Sequence, residues 1–261
     1  MNPPEPHPAL RLRDVTVAYH AGFALHPLSL DLPAGARCAV LGANGAGKST
    51  LLRLIGGLLR PRSGDIELFG RTADQWTRAE RAKRVAGLPG EADTPLPLTV
   101  RELVSLGRSP HEPAWGPPAA GSAVEVDTAL AQMELLPLAE ARLDRLSAGE
   151  RQRAFLALTL AQRADLLLLD EPTAHLDLRH AVRFMQILVE QADARGLTSI
   201  FSTHDLQRAA DTATHVALVK AGRLLAFGLC AEVLTADRLS ATFDTPIVVQ
   251  REAGRNWIRA G

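Results

Sequence analysis

The sequence predicts an α/β fold: a largely parallel sheet covered on both faces by helices, with one all-helical insert. Three observations carry this. Short aliphatic strands alternate with helical stretches on both sides of the middle of the chain, the pattern of βαβ units. One of these strands, Cys38 to Leu41, runs through a glycine-rich loop straight into a helix. The stretch from about 90 to 163 shows proline-rich loops and helical periodicity but no strand pattern.

The elements follow in order. Arg11 to Tyr19 alternates loosely and Leu28 to Leu32 alternates well, so both read as strands. Pro33-Ala34-Gly35 is a turn before the strand Cys38 to Leu41. A helix is expected from Lys48 to about Leu59, with Leu51, Leu54, Ile55 and Leu58 on one face. Pro61 to Gly64 ends it. Ile66 to Phe69 is a strand, Thr77 to Arg84 a polar helix and Val85 to Leu88 a short strand. After the loop Pro89 to Leu98, Thr99-Val100-Arg101-Glu102 has capping-box spacing and opens a helix through Leu106. Ser109 to Ser122, rich in Pro, Gly and Ala, is expected as an exposed loop. Ala123 to Leu136 and Glu150 to Gln162 read as helices. Alternation then returns, with strand Leu166 to Leu169, helix Leu178 to Ala194, strand Thr198 to Ser202 and helix Asp205 to Asp211. The strands His215 to Val219 and Arg223 to Phe227 form a hairpin around Ala221-Gly222.

Composition narrows the function classes. The chain has 261 residues, 46% hydrophobic and 22% charged, which suits one folded domain carrying an insert and excludes a disordered chain. Lys and Arg number 29, as do Asp and Glu, so the basic excess of a nucleic-acid binder is absent and no nucleic-acid partner is expected. Cys38 and Cys230 have no metal-ligand spacing and read as buried thiols in a reducing compartment. Met1 to Pro8 is polar and proline-rich, unlike a signal peptide, and no apolar run approaches the ~20 residues that span a bilayer. The expectation is a cytoplasmic protein whose membrane role, if any, runs through a partner.

Three segments carry chemistry. Gly42-Ala43-Asn44-Gly45-Ala46-Gly47-Lys48-Ser49 fits the phosphate-binding pattern G-x-x-x-x-G-K-[ST], with a strand before it and a helix after. The glycines let backbone N–H groups converge on phosphate oxygens, and the helix N-terminus adds free donors. Lys48 reaches the β- and γ-phosphates and the Ser49 hydroxyl ligates Mg²⁺. Leu166 to Leu169 is followed by Asp170-Glu171. Acids at the C-terminal end of a parallel strand sit where ligands bind in open α/β sheets. Asp170 would hold Mg²⁺ through its water shell and Glu171 would polarise the attacking water as general base. The alternative is a solvated acidic strand end. Leu146-Ser147-Ala148-Gly149-Glu150 precedes a helix, and Ser147 and Glu150 have capping-box spacing. A Ser and a Gly at a helix start also suit a second phosphate site, one that takes its nucleotide from elsewhere.

As a set these motifs resemble the ATP-binding cassette family, the nucleotide-binding subunits of ABC transporters. Leu146 to Glu150 is similar to that family's signature, with Ala148 and Glu150 in place of the usual Gly and Gln. Ala174 to Asp177 resembles its D-loop, and His204 matches its switch histidine. Tyr19 matches the aromatic that stacks on adenine. The resemblance covers roughly residues 10 to 230. It implies a P-loop NTPase core with a mostly parallel sheet, an N-terminal antiparallel β part and an all-helical insert. The chain would be one domain over 1–261, with core parts at about 1–89 and 164–261 and the helical part at about 90–163.

The implied ligands are ATP and Mg²⁺. ATP would be held by Tyr19, by Gly42, Ala43, Asn44, Gly45, Ala46, Gly47, Lys48, Ser49 and Thr50, and from a second chain by Ser147, Gly149, Glu150 and Asp177. Ser49 and Asp170 would hold the metal, and Glu171 and His204 would be catalytic. Where the family has a Gln after the third core strand, this chain has Gly90, with Glu91 beside it, which puts coupling in question and leaves nucleotide binding untouched. Leu98 to Arg108 and Thr245 to Val249 look like the importer branch for iron–siderophore complexes, haem or cobalamin. That branch implies a head-to-tail homodimer on the cytoplasmic face of the inner membrane. Its partners would be two separate transmembrane permease subunits and, indirectly, a substrate-binding protein. A soluble ABC-type ATPase is the alternative, but the tandem cassettes or coiled-coil insertion of that class are missing. A phosphotransferase would leave Leu146 to Glu150 and the Asp170-Glu171 pair unexplained.

Overall fold

The computed structural model describes residues 7–18, 24–88, 97–113, 115, 117, 119–252 and 255–261. Its first half holds β1 (Leu10–Ala18), β2 (Ala24–Leu32), β3 (Arg37–Leu41), α1 (Lys48–Ile55), β4 (Ser63–Leu68), β5 (Arg71–Thr72), α2 (Arg78–Arg84) and β6 (Val85–Leu88). Three helices follow, α3 (Val100–Leu106), α4 (Ser122–Gln132) and α5 (Ala148–Ala161). The second half holds β7 (Leu166–Leu169), α6 (Leu178–Arg195), β8 (Thr198–Ser202), α7 (Leu206–Thr212), β9 (His215–Lys220) and β10 (Arg223–Leu229). The chain closes with α8 (Cys230–Val233), α9 (Ala236–Phe243), β11 (Ile247–Glu252) and β12 (Arg255–Ala260).

The main sheet runs β10-β9-β3-β8-β7-β6, parallel except for β10 at one edge. A second, antiparallel sheet runs β2-β1-β4-β5. The parallel strands are largely buried because both faces of the sheet are covered, and β7 is four leucines, although β8 also carries buried Thr198, Ser199 and Ser202. Their side chains divide with the two-residue period of a strand. Ala39, Leu41, Leu167, Leu169, Phe201, Val216 and Leu218 join one apolar cluster. Cys38, Val40, Leu166, Leu168, Ile200, Ala217 and Val219 join the other, with α1 and the antiparallel sheet. The helices α3, α4 and α5 belong to the first cluster, through Leu103, Val104, Leu130, Leu156 and Leu160.

The capping box at α3 is formed: Thr99 Oγ1 accepts from the Glu102 amide at 3.2 Å, and Glu102 Oε2 accepts from the Thr99 amide at 2.7 Å. It fixes the start of a helix whose Val100, Leu103 and Val104 are buried. Thr99→Ala should therefore cost about 1 kcal/mol, lowering the melting temperature by about 2–4 °C. A parent-like melting curve would show that tertiary packing alone holds this helix start.

Three expectations from sequence are corrected, and one segment is added. The helix read over Ala123 to Leu136 ends at Gln132, and Glu134 then turns left-handed at φ +55° before a separate 3₁₀ turn at Leu136–Leu138. The first helix stops at Ile55 and does not reach Leu59. Gly57 has φ +72°, its amide bonds Leu54 O, and the Leu58 amide bonds Arg53 O, which together make a Schellman ending. Leu58 is the exposed residue after that turn, so its helical spacing is incidental. Ser109 to Ser122 is not all exposed loop: it opens with a 3₁₀ turn at Ser109–His111 and ends with Ser122 buried as the first residue of α4. The C-terminal residues, read only for their likeness to the importer branch, form the β11–β12 hairpin. It is tied to α7 by Gln207, which bonds the Asn256 carbonyl and the Ile258 amide. Among the described residues no helix is long and apolar enough to cross a membrane.

Candidate nucleotide-binding site

The glycine-rich loop leaves the end of β3, a central strand of the main sheet, and enters α1 at Lys48. Gly45 and Gly47 have φ of +76° and +110°, a left-handed backbone that L side chains rarely adopt. At Gly45 no atom lies within 4 Å of where a Cβ would be, so the turn is open. Gly42 is the opposite case, because a Cβ there would meet Val219 O at 2.1 Å. The loop is thus tucked under the β9–β10 hairpin, whose Gly222 amide also bonds Ala46 O at 2.8 Å. The hairpin's carbonyl at Gly222 accepts from the His26 amide at 2.8 Å, which brings the antiparallel sheet up beside the loop.

Asn44 to Thr50 and Glu171 line one pocket of about 340 Å³. Lys48 lies in it, 6% exposed, with Nζ donating to Gly42 O at 2.8 Å and Ala43 O at 3.2 Å. Burial pushes its ammonium down from the ordinary lysine range, while Glu171 and Asp170 nearby push it back up. Ser49 also lines a second, larger cleft of about 1090 Å³, together with Asp170. Ser49 therefore stands where the two cavities meet, with one acid on either side.

The two acids are placed by strand register. Leu169, the last residue of β7, pairs with Phe201 of β8, so the next positions along the two strands bring Asp170 beside Ser202. Ser202 pairs in turn with Val40 of β3, one residue before the strand end that leads into the loop. Ser202 is fully buried. Its hydroxyl lies 2.6 Å from Asp170 Oδ1 and accepts from the Glu171 amide at 2.9 Å. Glu171 has φ +44°, an uncommon backbone for a residue with a side chain. Its Oε2 lies 3.4 Å from Nδ1 of His204, whose side chain is mostly exposed. The structure thus brings together Lys48, Ser49, Thr50, Glu171 and, at the open edge, His204, with Asp170 on the far side of Ser49.

Ser147, Gly149, Glu150 and Asp177 do not line the loop pocket. Ser147 is the N-cap of α5, with a complete capping box: its Oγ donates to Glu150 Oε2 at 2.7 Å and accepts from the Glu150 amide at 3.3 Å. The Ser147 hydroxyl and amide hold the Glu150 carboxyl below the usual range. A Cβ at Gly149 would stand 3.0 Å from His175 O, a tight contact that brings the start of α5 close to the segment before α6. Asp177 caps α6, and the His180 amide and ring keep its carboxyl below the usual range. Near the start of α5, Gln152 Nε2 bonds Pro172 O at 3.0 Å, which ties that helix to the loop carrying Glu171. Neither Gln152 nor Ser202 stood out in the sequence. Tyr19, Gly90 and Glu91 lie outside the described residues.

The ABC transporter family model matches residues 25–174. The chain is 35% identical over 234 residues to the ferric enterobactin transport ATP-binding protein FepC of Escherichia coli, covering 90% of this chain and 86% of that protein. It is 40% identical over 225 residues to the hemin import ATP-binding protein HmuV of Streptomyces coelicolor, covering 86% and 79%. Among solved structures, a transporter assigned to the metal-chelate type, in an inward-facing conformation, matches with TM-score 0.81 at 29% identity, covering 97% of this chain and 96% of that one. The dimeric post-hydrolysis state of the cassette MJ0796, bound to ADP and Pi, matches with TM-score 0.75 at 25% identity, covering 85% and 98%. The loop geometry, the sheet order and these likenesses agree: the chain belongs to the ABC transporter family, as an ATP-binding subunit that hydrolyses ATP.

Proposed function

We propose that this subunit powers an importer of iron–siderophore, haem or cobalamin ligands, working as a head-to-tail pair beneath two separate permease subunits on the cytoplasmic face of the inner membrane. A substrate-binding protein would deliver the ligand on the other side. The observation that carries the paired arrangement is the split of the site residues. Lys48, Ser49 and Glu171 share one pocket, while Ser147 and Gly149 stand apart from it on the same chain. A second copy is needed to bring the two groups onto one nucleotide. The likeness to FepC and HmuV supports the choice of cargo class.

The roles follow from the geometry. Backbone amides from Gly42 to Thr50 cradle the phosphates, and Lys48 exchanges its two loop carbonyls for phosphate oxygens. Tyr19, which lies outside the described residues, is assigned to the adenine by the family resemblance alone. The Ser49 hydroxyl and the Asp170 carboxylate are hard oxygen donors on one cleft, and they suit Mg²⁺, which takes few protein ligands and leaves the rest to phosphates and water. Among the described residues no group of three His, Cys, Asp or Glu forms a metal cage, which also fits that mode. When bound, Mg²⁺ supplies charge neutralisation at the phosphates. Glu171 takes the proton of the attacking water, and His204, 3.4 Å away, orients it. Ser147 and Gly149 face the partner's γ-phosphate once Glu150 releases the Ser147 hydroxyl, and Asp177 lies at the same face. The residues at about 90–163 act as a helical subdomain on a core made of about 1–89 and 164–261.

Tagged protein purified from detergent-solubilised membranes should bring permease subunits with it. Recovery of the chain alone, from the soluble fraction only, would favour a soluble ATPase. The composite site has its own test. A Ser147→Ala chain paired with a Lys48→Ala chain leaves one site with both defects and one with neither. Mixed dimers should regain part of the ATPase activity that each pure mutant lacks. No recovery in dimers shown to have mixed would return Ser147 to its cap role alone.

A further inference from the structure

We infer that Ser202 is a positioning residue for the hydrolytic site: one buried hydroxyl orients Asp170 and fixes the backbone of Glu171. The inference rests on the assignment of those two acids above. A backbone N–H only donates, so the Ser202 oxygen must accept from the Glu171 amide at 2.9 Å. Its single proton is then committed to Asp170 Oδ1, at 2.6 Å, the distance of a hydroxyl bonded to a carboxylate. Asp170 is left with its other oxygen for a cation's water shell.

The Glu171 amide needs this partner. The β7–β8 ladder ends at the Leu169–Phe201 pair, and the Asp170 amide is already spent on Leu88 O at 3.2 Å. Just past that point the chain turns through φ +44° at Glu171, a left-handed conformation that is unfavourable for a residue with a Cβ. The Ser202 side chain therefore extends the ladder by one bond at the residue where the backbone is most costly. That bond decides where the Glu171 carboxyl points. Ser202 is the only residue that touches both acids in this way among the described residues. Its strand, β8, lies between the strand that carries the acids and the strand that carries the phosphate loop.

The test compares Ser202→Ala and Ser202→Cys with the parent. Cys keeps nearly the volume of Ser but is a poor donor and acceptor, so it carries the test if Ala perturbs folding at this fully buried position. Both variants should lose about tenfold in kcat, the size expected for a hydrogen bond to a charged group. Mn²⁺ affinity in the presence of a non-hydrolysable ATP analogue, read by electron paramagnetic resonance, should weaken several-fold. Nucleotide affinity in EDTA, read by fluorescent-nucleotide titration, should stay within twofold of the parent, because Lys48 and the loop are unchanged. Parent-like kcat and Mn²⁺ affinity in Ser202→Cys would overturn the inference. Equal losses of nucleotide affinity with and without metal, tracking a fall in melting temperature, would overturn it too, since a merely structural serine behaves that way.

Discussion

Glu171→Gln should keep ATP binding and lose hydrolysis by about 10²–10⁴-fold in kcat, the usual cost of removing a general base. The amide has the shape of the carboxylate but cannot accept the water's proton. In barrier terms this is about 3–5.5 kcal/mol. The backbone contact that positions the residue, its amide on Ser202 Oγ at 2.9 Å, is untouched by the change. The loop pocket also keeps its other lining residues from Asn44 to Thr50. Titration with a fluorescent nucleotide should therefore give an affinity close to the parent's. With turnover blocked, ATP should hold two chains together, and gel filtration with ATP and Mg²⁺ should show a dimer where the parent runs as a monomer after turnover. His204→Ala serves as the companion. Its ring lies 3.4 Å from Glu171 Oε2, so its loss should slow hydrolysis without changing affinity in the absence of Mg²⁺. Near-normal hydrolysis by Glu171→Gln would make Glu171 a solvated acid at a strand end.

The phosphate loop was legible in the sequence because its signal is local. Glycines at fixed offsets, a lysine and a hydroxyl, between an aliphatic strand and an amphipathic helix, specify one backbone shape. The acids were legible only through the loop: a run of four leucines ending in two carboxylates reads equally as a solvated strand end, and the phosphate loop upstream is what favours a role at the site. Ser202 was not legible, because nothing in Thr198 to Ser202 marks its side chain. Its role comes from the strand order β3-β8-β7, which places β8 between the loop strand and the acid strand, and from the register that sets Ser202 level with Asp170. Sheet order is a non-local property, and a single sequence does not encode it in any short window. The β11–β12 hairpin was missed for another reason. Among its described residues only Ile247, Val249 and Ile258 pack it onto the core, and the remaining hold runs through polar contacts to Gln207, which no short window of sequence marks. Ser147 shows the reverse problem. Its spacing to Glu150 gave two readings, and the structure displays the cap in full while leaving the phosphate reading to a second chain.

Lys48→Ala should weaken ATP binding by at least about ten- to a hundred-fold, from the loss of a charge-assisted contact of about 1.5–3 kcal/mol. Two further effects act in the same direction. Lys48 is the cation that offsets Glu171 and Asp170, both close enough to raise its proton affinity. Without it an incoming polyphosphate meets two carboxylates and no compensating side chain, and like charges at short range in a partly buried site repel. The lysine's contacts to the Gly42 and Ala43 carbonyls, at 2.8 and 3.2 Å, also hold its ammonium over the loop, ready to be exchanged for phosphate oxygens, and that placement is lost with it. Stability should move the other way, which separates this loss from misfolding. The folded-state pKa of Lys48 lies below its unfolded value, because burial opposes the ammonium. Folding therefore releases a proton, and this group's contribution grows more favourable as pH rises from the folded pKa to the unfolded one, about 10.4 for a free lysine. Below both values the charged, buried lysine opposes folding. Lys48→Met, which keeps the apolar stem, should then leave the ligand-free melting temperature at neutral pH equal to or above the parent's, while ATP no longer raises it. A Lys48→Met protein whose melting temperature still climbs with ATP as the parent's does would show that the phosphates are held without this lysine, and that the assignment of the loop is wrong.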